Sequence, residues 1–326
     1  MPAPKRVRAV FMGTPDFAVP SLEAAHELCE IVAVYTQPDR PVGRGLELQA
    51  PPVKRKALEL GLEVLQPEKL SQPGEFERLS ALAPELILVV AYGQILRQNV
   101  LDLPRLGCVN VHSSILPRWR GAAPIQWAIL AGDRETGVST QKMVLKLDAG
   151  DVLDVEKTEV RSDETASSLH DRLALLGAKV LRRTIEGVRE GSLYPVSQDE
   201  SRVTVATKLS RDMERLDPSK TVAELDRQVR ALTPWPGTSV FLGEGGERLK
   251  VKRVVLRPEV RSRPGMLFES AGRLFIGAAD GCLEVLELQP EGKRVQSAAE
   301  FLSGRKGRSG AGSGALEWAI SAGHPG

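Results

Sequence analysis

Along residues 7–113, short apolar runs alternate with segments of helical period, and nothing else in the chain constrains its fold as strongly. VRAVFMG (7–13), IVAVYT (31–36), LILVVAY (86–92) and CVNVHS (108–113) have strand length and are rich in β-branched residues. Between them SLEAAHEL reads as helix, residues 52–61 as a second helix with Pro52 in its first turn, and residues 74–82 as a third. Strands that lack a polar face need cover on both sides, and helices between strands supply it. The expected architecture is a parallel sheet with helices on both faces.

The pattern changes after Gly191. The helical stretch TASSLHDRLALLGAKVLRRTIEGVREG ends there, and a polar connector spans residues 192–207. One helix (221–232) follows, then five β-rich runs, TSVFL, RLKVKRVVL, GMLFE, RLFIGAA and CLEVLEL, separated by Gly-, Pro- and Glu-rich turns. Five short strands with regular turns predict a small β-barrel of the oligonucleotide-binding type. The chain therefore divides into an α/β domain (1–191), a linker (192–207), a β-barrel domain (208–305) and a Gly/Ser-rich tail (306–326) expected to be mobile. A length of 326 residues fits two cores.

Composition removes several classes. Apolar residues make up 42% and charged residues 26%, which is ordinary for a globular chain. The strongest apolar run, Leu86–Tyr92, is too short to span a bilayer, and the N-terminal residues lack the apolar core of a signal peptide. Cys29, Cys108 and Cys282 are few and widely spaced, which argues against a disulfide framework and a Cys/His metal site. No metal, a cytoplasmic setting and a monomer are the expectations.

Chemistry concentrates in VNVHSSILPRWRGAAPIQ (109–126). Asn110 and His112 lie two apart on a predicted strand, so their side chains share a face near its carboxyl end. An amide and an imidazole placed together can donate to one developing oxyanion. KLDAGDVL (146–153) puts Asp148 in a turn, where a carboxylate can orient an imidazole or move a proton. Taken alone, Asn110 and His112 read as a satisfied polar pair and Asp148 as a turn cap; together they read as a site. There is no GxSxG, no GxGxxG and no Walker A motif.

FMGTPDFAVPSL, YTQPDRPVGRG, VVAYGQIL, CVNVHSSILPRWRGAAPIQWAILAGD, LDAGD, TPWPG and LQPEGKR, spread over residues 7–305, resemble the methionyl-tRNA formyltransferases. The Asn-x-His with a distant Asp is shared by folate-dependent formyltransferases generally; QPDRPVGRG and the C-terminal barrel point to the tRNA enzymes. The resemblance implies a Rossmann-like catalytic domain followed by an oligonucleotide-binding-like domain. It also implies transfer of a formyl group from 10-formyltetrahydrofolate to the amino group of methionyl-initiator tRNA. Asn110, His112 and Asp148 match the catalytic trio. Ser114, Ile115, Leu116 and Pro117 match the folate-binding Ser-Leu-Leu-Pro, with Ile for the first Leu keeping volume and apolarity. Lys208, Arg40 and Arg44 match positions of tRNA contact.

Charge supports an RNA partner without the family. Arg40 and Arg44 sit on a long Gly-containing connection, Gln37–Ala50, suited to phosphates and unpaired bases. Residues 248–263 hold seven bases, among them Lys250, Lys252 and Arg253, against Glu259 alone. Residues 207–326 hold nineteen bases and fifteen acids, so the positive charge lies on the predicted barrel. The same alternation along RLKVKRVVLR also fits a solvated strand face. Two alternatives stay open: a formyltransferase of this fold acting on a small amine, such as a sugar nucleotide or glycinamide ribonucleotide, and a non-catalytic RNA-binding protein.

Overall fold

The computed structural model describes residues 6–42, 47–242, 246–306 and 317–319. In chain order its elements begin with β1 (Val7–Gly13), α1 (Val19–Leu28), β2 (Cys29–Tyr35), β3 (Arg40–Val42), β4 (Glu47–Gln49) and α2 (Pro52–Glu59). Then come β5 (Val64–Leu65), α3 (Glu75–Ala81), β6 (Leu86–Val90), α4 (Gln98–Leu101), β7 (Cys108–His112) and β8 (Arg120–Gly121). α5 (Pro124–Ala131), β9 (Glu135–Lys142), β10 (Val152–Glu159), α6 (Ala166–Glu190) and β11 (Val205–Ala206) complete this half. The remainder holds α7 (Val222–Leu232), β12 (Thr238–Phe241), β13 (Arg248–Arg257), β14 (Met266–Ser270), β15 (Arg273–Ala278), β16 (Gly281–Pro290), β17 (Gln296–Ser297), α8 (Ala298–Lys306) and β18 (Glu317–Ala319).

The first sheet runs β10-β9-β7-β6-β1-β2-β5. Five strands pair in parallel: β1, β2, β6 and β7, which the four apolar runs predict, and the two-residue β5, which they do not; β9 and β10 add an antiparallel edge at β7. All five residues of β6 are buried, the mark of a strand covered on both faces. On one face Val10, Met12, Ile87, Val89 and Cys108 join Leu79 of α3 and Val100 of α4 in a single cluster. Truncating such a residue, for example Ile87→Ala, costs about 2–5 kcal/mol. Gly177 of α6 lies so close that an added Cβ would sit 3.2 Å from Val111, which sets how near that helix comes to β7.

In the long connection Gln37–Ala50, β3 and β4 pair as an antiparallel ladder, and Lys54 and Gln66 both bond the Asp39 carboxylate at its root. Arg44 lies outside the described residues.

Contacts group the chain into two compact units, one of 1–124, 135–159 and 169–207, the other of 125–134, 160–168 and 208–326. In the second unit the sheet order is β12-β13-β16-β15-β14-β18, all antiparallel, and among the described residues the two ends of this path are not bonded to each other. Its core joins Leu225 and Val229 of α7 to Val240, Leu249, Val251, Ile276, Leu283, Val285 and Phe301. A capping box between Thr221 and Glu224 starts α7. Of the tail's described residues, Glu317–Ala319 pair with Met266–Phe268, and Lys306 closes α8. β14 is thus paired on both sides, with β15 and with β18, so its backbone groups present no open edge over that stretch.

Candidate active site

β7 fixes Asn110 and His112 two residues apart, and its antiparallel partner β9 sets Gln141 opposite Asn110 and Ser139 opposite His112. His112 is 7% exposed; Asn110 is half-buried. His112 Nε2 lies 2.8 Å from the Trp119 carbonyl oxygen. A carbonyl only accepts, so Nε2 carries the proton. His112 Nδ1 then faces Asp148 Oδ1 at 3.7 Å, beyond direct hydrogen bonding. With a neutral ring and an ionised carboxylate, that gap has an acceptor on each side. The Asn110 amide has no hydrogen-bond partner among the described residues.

Asp148 is held from three sides. Gly121 N donates to Oδ2 at 2.9 Å and Gln141 Nε2 donates to Oδ1 at 3.0 Å. Gln198 Nε2 donates to the carbonyl oxygens of Asp148 at 2.8 Å and Gly150 at 2.7 Å. The Asp148 backbone is left-handed, with φ of 49°, a region that Asp and Asn enter more readily than other residues with a side chain. Gly150 has no room for a side chain, because a Cβ there would meet the Lys142 carbonyl at 1.6 Å.

Arg120 carries the support further out. It is buried, bonds Gln198 Oε1 through Nε at 3.0 Å and reaches Glu200 at 2.8 Å. Lys146 meets the other oxygen of Glu200 at 2.6 Å. These two cations hold the Glu200 carboxyl down to a pKa of about 2. β8 and β11 pair in parallel, Thr204 Oγ1 accepts from Trp119 N at 2.8 Å, and a Cβ on Gly121 would lie 2.6 Å from the Ala206 carbonyl. The polar connector is thus built into the site. Gln141, Gln198 and Glu200 carry no motif, and Arg120 lies in the 109–126 segment without a role there; their roles follow from non-local register.

The other sequence candidates fall in different settings. Ser114 is fully buried and spends its hydroxyl on the Arg118 carbonyl at 2.6 Å, closing the loop after β7. Leu116 N bonds Ser139 Oγ at 3.1 Å, Leu116 is buried, and Ile115 and Pro117 are half-buried. Burial pushes the Cys108 thiol up to about 12, so it stays an unreactive strand residue. Arg40 is exposed and pairs with Glu68 at 3.5 Å. Lys208 is exposed. On β13, Lys250 and Lys252 have no ion-pair partner among the described residues, whereas Arg253 pairs with Glu287 at 3.1 Å, Arg257 with Glu284 at 2.7 Å, and Arg248 with Glu214. The charge of residues 248–263 is therefore smaller in space than in sequence. Among the described residues, no helix is long and apolar enough to cross a membrane and no cluster of His, Cys, Asp and Glu is arranged to hold a metal ion.

Comparison with known proteins gives this geometry a family. The formyl transferase family profile matches residues 6–185, and the profile of the formyl transferase C-terminal domain matches residues 208–306. In solved structures the fold recurs in HypX from Aquifex aeolicus in complex with tetrahydrofolic acid, with a TM-score of 0.61 and 18% identity over 91% of this chain. This chain spans 47% of that one. It recurs also in WlaRD, a sugar 3N-formyl transferase, with a TM-score of 0.65 and 17% identity over 89% of this chain and 99% of that one. Among sequences, the methionyl-tRNA formyltransferase of Myxococcus xanthus is 49% identical over 92% of this chain and 96% of its own length. That of Halorhodospira halophila is 51% identical with the same coverage. At that identity over nearly all of both sequences, the chain belongs to the methionyl-tRNA formyltransferase family.

Proposed function

We propose that the protein transfers a formyl group from 10-formyltetrahydrofolate to the amino group of methionyl-initiator tRNA, in the cytoplasm and as a monomer. The observation that carries this reading is the gap between His112 Nδ1 and Asp148 Oδ1, with the unpartnered Asn110 amide on the same strand face.

10-Formyltetrahydrofolate, when bound, supplies the formyl carbon on a nitrogen leaving group. The residues present fit a flat, amphipathic donor. Val144, Leu145 and Leu147 are exposed just before Asp148, and a cavity of about 470 Å³ lined by Gly93, Gln94, Ile95 and Arg97 opens beyond β6. Half-buried Ile115 and Pro117 supply further apolar surface, while buried Leu116 and Ser114 shape their loop.

The Asn110 amide N–H donates to the formyl oxygen as negative charge develops there, a contact worth about 2.7–4 kcal/mol of barrier. The attacking amine must lose a proton and the leaving nitrogen must gain one. The space between two acceptors, His112 Nδ1 and Asp148 Oδ1, is where such a proton is held. With Nε2 committed to Trp119, protonation of Nδ1 makes His112 an imidazolium stabilised by Asp148. In this reading residues 1–191 carry the chemistry, while Arg40, Arg44, Lys208, Lys250, Lys252 and Arg253 contact tRNA.

The test is purified protein with 10-formyltetrahydrofolate and either methionyl-initiator tRNA or small amines, scored for formyl product. Product on the tRNA alone supports the reading. Product on a sugar nucleotide or glycinamide ribonucleotide but not the tRNA overturns it, as does RNA binding without any formyl transfer.

A further inference from the structure

Trp235 is 53% exposed on the turn between α7 and β12. Leaving a large apolar ring in water is unfavourable, yet this ring is held in a stiff frame. Pro234 and Pro236 flank it and limit the backbone. Thr233 Oγ1 donates to the Val229 carbonyl at 2.7 Å, and Gly237 N donates to the Leu232 carbonyl at 2.8 Å. Gly237 takes a φ of 84°, which favours glycine at the turn's exit. A ring carried on so restrained a backbone leaves only its own side-chain torsions to be ordered when it meets a partner.

The charge beside it says which partner. Three residues on from Trp235, Thr238 pairs with Val251, and its hydroxyl donates to the Val251 carbonyl at 2.9 Å. Lys250 and Lys252 flank Val251, so three residues of chain and one inter-strand step separate the Trp235 backbone from that segment, at most about 16 Å. Along β13, Leu249 and Val251 are buried, while Arg248, Lys250 and Lys252 take the half-exposed alternate face. Arg248 is neutralised by Glu214, but Lys250 and Lys252 have no counter-charge among the described residues. Burial, then the charges of Lys250 and Arg248, hold the Lys252 pKa below the ordinary lysine value. Placing like charges together without an acid is unfavourable until an anion arrives.

We propose that Trp235 is a stacking platform for an unpaired nucleotide of the bound RNA, placed beside the phosphate-binding Lys250 and Lys252. Every base has a π-face, so the platform adds affinity without base-specific hydrogen bonds. This inference rests on the tRNA reading above and adds to it a non-electrostatic contact.

Salt dependence separates the two contributions. Stacking releases no counterions, whereas each lost phosphate contact lowers the salt slope. Binding of methionyl-initiator tRNA to the full chain is measured across ionic strength for wild type, Trp235→Ala, Trp235→Phe and Lys250→Gln/Lys252→Gln. Trp235→Ala is expected to bind roughly fivefold to a hundredfold more weakly with an unchanged salt slope, and Trp235→Phe to recover most of the loss. The lysine pair should flatten the slope instead. Wild-type tryptophan fluorescence should be quenched by the RNA, with part of that quenching lost in Trp235→Phe. Wild-type affinity in Trp235→Ala, or equal loss in the Phe and Ala variants, overturns the platform while leaving the tRNA reading intact. Absence of tRNA binding by the wild type overturns both.

Discussion

The carboxylate of Asp148 and the Nδ1 of His112 face each other across 3.7 Å, each fixed from behind by a backbone group: Gly121 N–H for the acid, the Trp119 carbonyl for the ring. The separation suits a shared proton or a bridging donor better than a resting contact.

Removing either side chain should leave the fold intact, since the Asn110 amide bonds nothing among the described residues and the His112 ring makes one hydrogen bond, to a loop carbonyl. Asn110→Ala and His112→Ala are each expected to lose about a hundredfold to a thousandfold in single-turnover rate, with tRNA binding retained. Near wild-type turnover in either variant removes that residue from the chemistry.

Asp148→Asn keeps the left-handed backbone accessible and can still accept from Gly121 N–H, so it should fold. An amide cannot take up a proton at that position. The expected result is a far slower single turnover with donor binding unchanged by calorimetry. A normal rate would leave Asp148 as a turn residue.

Gly121→Ala tests the support rather than the acid. Its Cβ would meet the Ala206 carbonyl at 2.6 Å, and the N–H it displaces is the one that donates to Asp148. We expect turnover to fall with little change in the affinity for tRNA, and thermal unfolding to move down by a few degrees, as for a loss of about 1–3 kcal/mol. An unchanged rate would separate the β8–β11 pairing from catalysis.

Glu200 gives a pH signature. Its pKa is held at about 2 in the fold by Arg120 and Lys146, against an ordinary value of 4.5. A depressed carboxyl stabilises the folded form above pH 4.5 and loses that contribution as pH falls from 4.5 toward 2. Wild type should therefore unfold at higher denaturant than Glu200→Gln at pH 7, and the difference should shrink in that acid window. A difference that does not change with pH would mean that Glu200 acts by packing alone.

Neutralising Lys250 and Lys252 should weaken tRNA binding and flatten its salt dependence, whereas Arg253→Ala should do less, because Glu287 already balances Arg253. Arg44→Ala is expected to lower the maximal rate at saturating tRNA, by misplacing the amine rather than by weakening binding. Full rescue by added tRNA would assign Arg44 to affinity instead.

The parallel strands and their helices were legible because each signal is local: Leu86–Val90 is apolar at every position, and α2 starts at its proline. Asn110 and His112 were legible through strand parity, and the resemblance drew in Asp148. What escaped depends on distant pairing. The antiparallel β9 and β10 follow from where their chain returns, not from composition. Gln141 matters because register sets it opposite Asn110, and Gln198 because a polar connector folds back under Asp148. The basic run 248–263 overstated its charge for the same reason, since Glu214, Glu284 and Glu287 reach it from elsewhere in the sequence.

Gln198 also decides where the chain can be cut. A fragment ending at residue 191, or at the end of the 6–185 match, keeps Asn110, His112 and Asp148 yet deletes the amide that ties the Asp148 and Gly150 carbonyls together. It also strips β8 of its partner strand. A single protease nick between residues 191 and 198 would relax the same turn while leaving every catalytic side chain in place. An isolated catalytic fragment built for crystallography or inhibitor screening therefore has to run through Thr207, where the first compact unit ends.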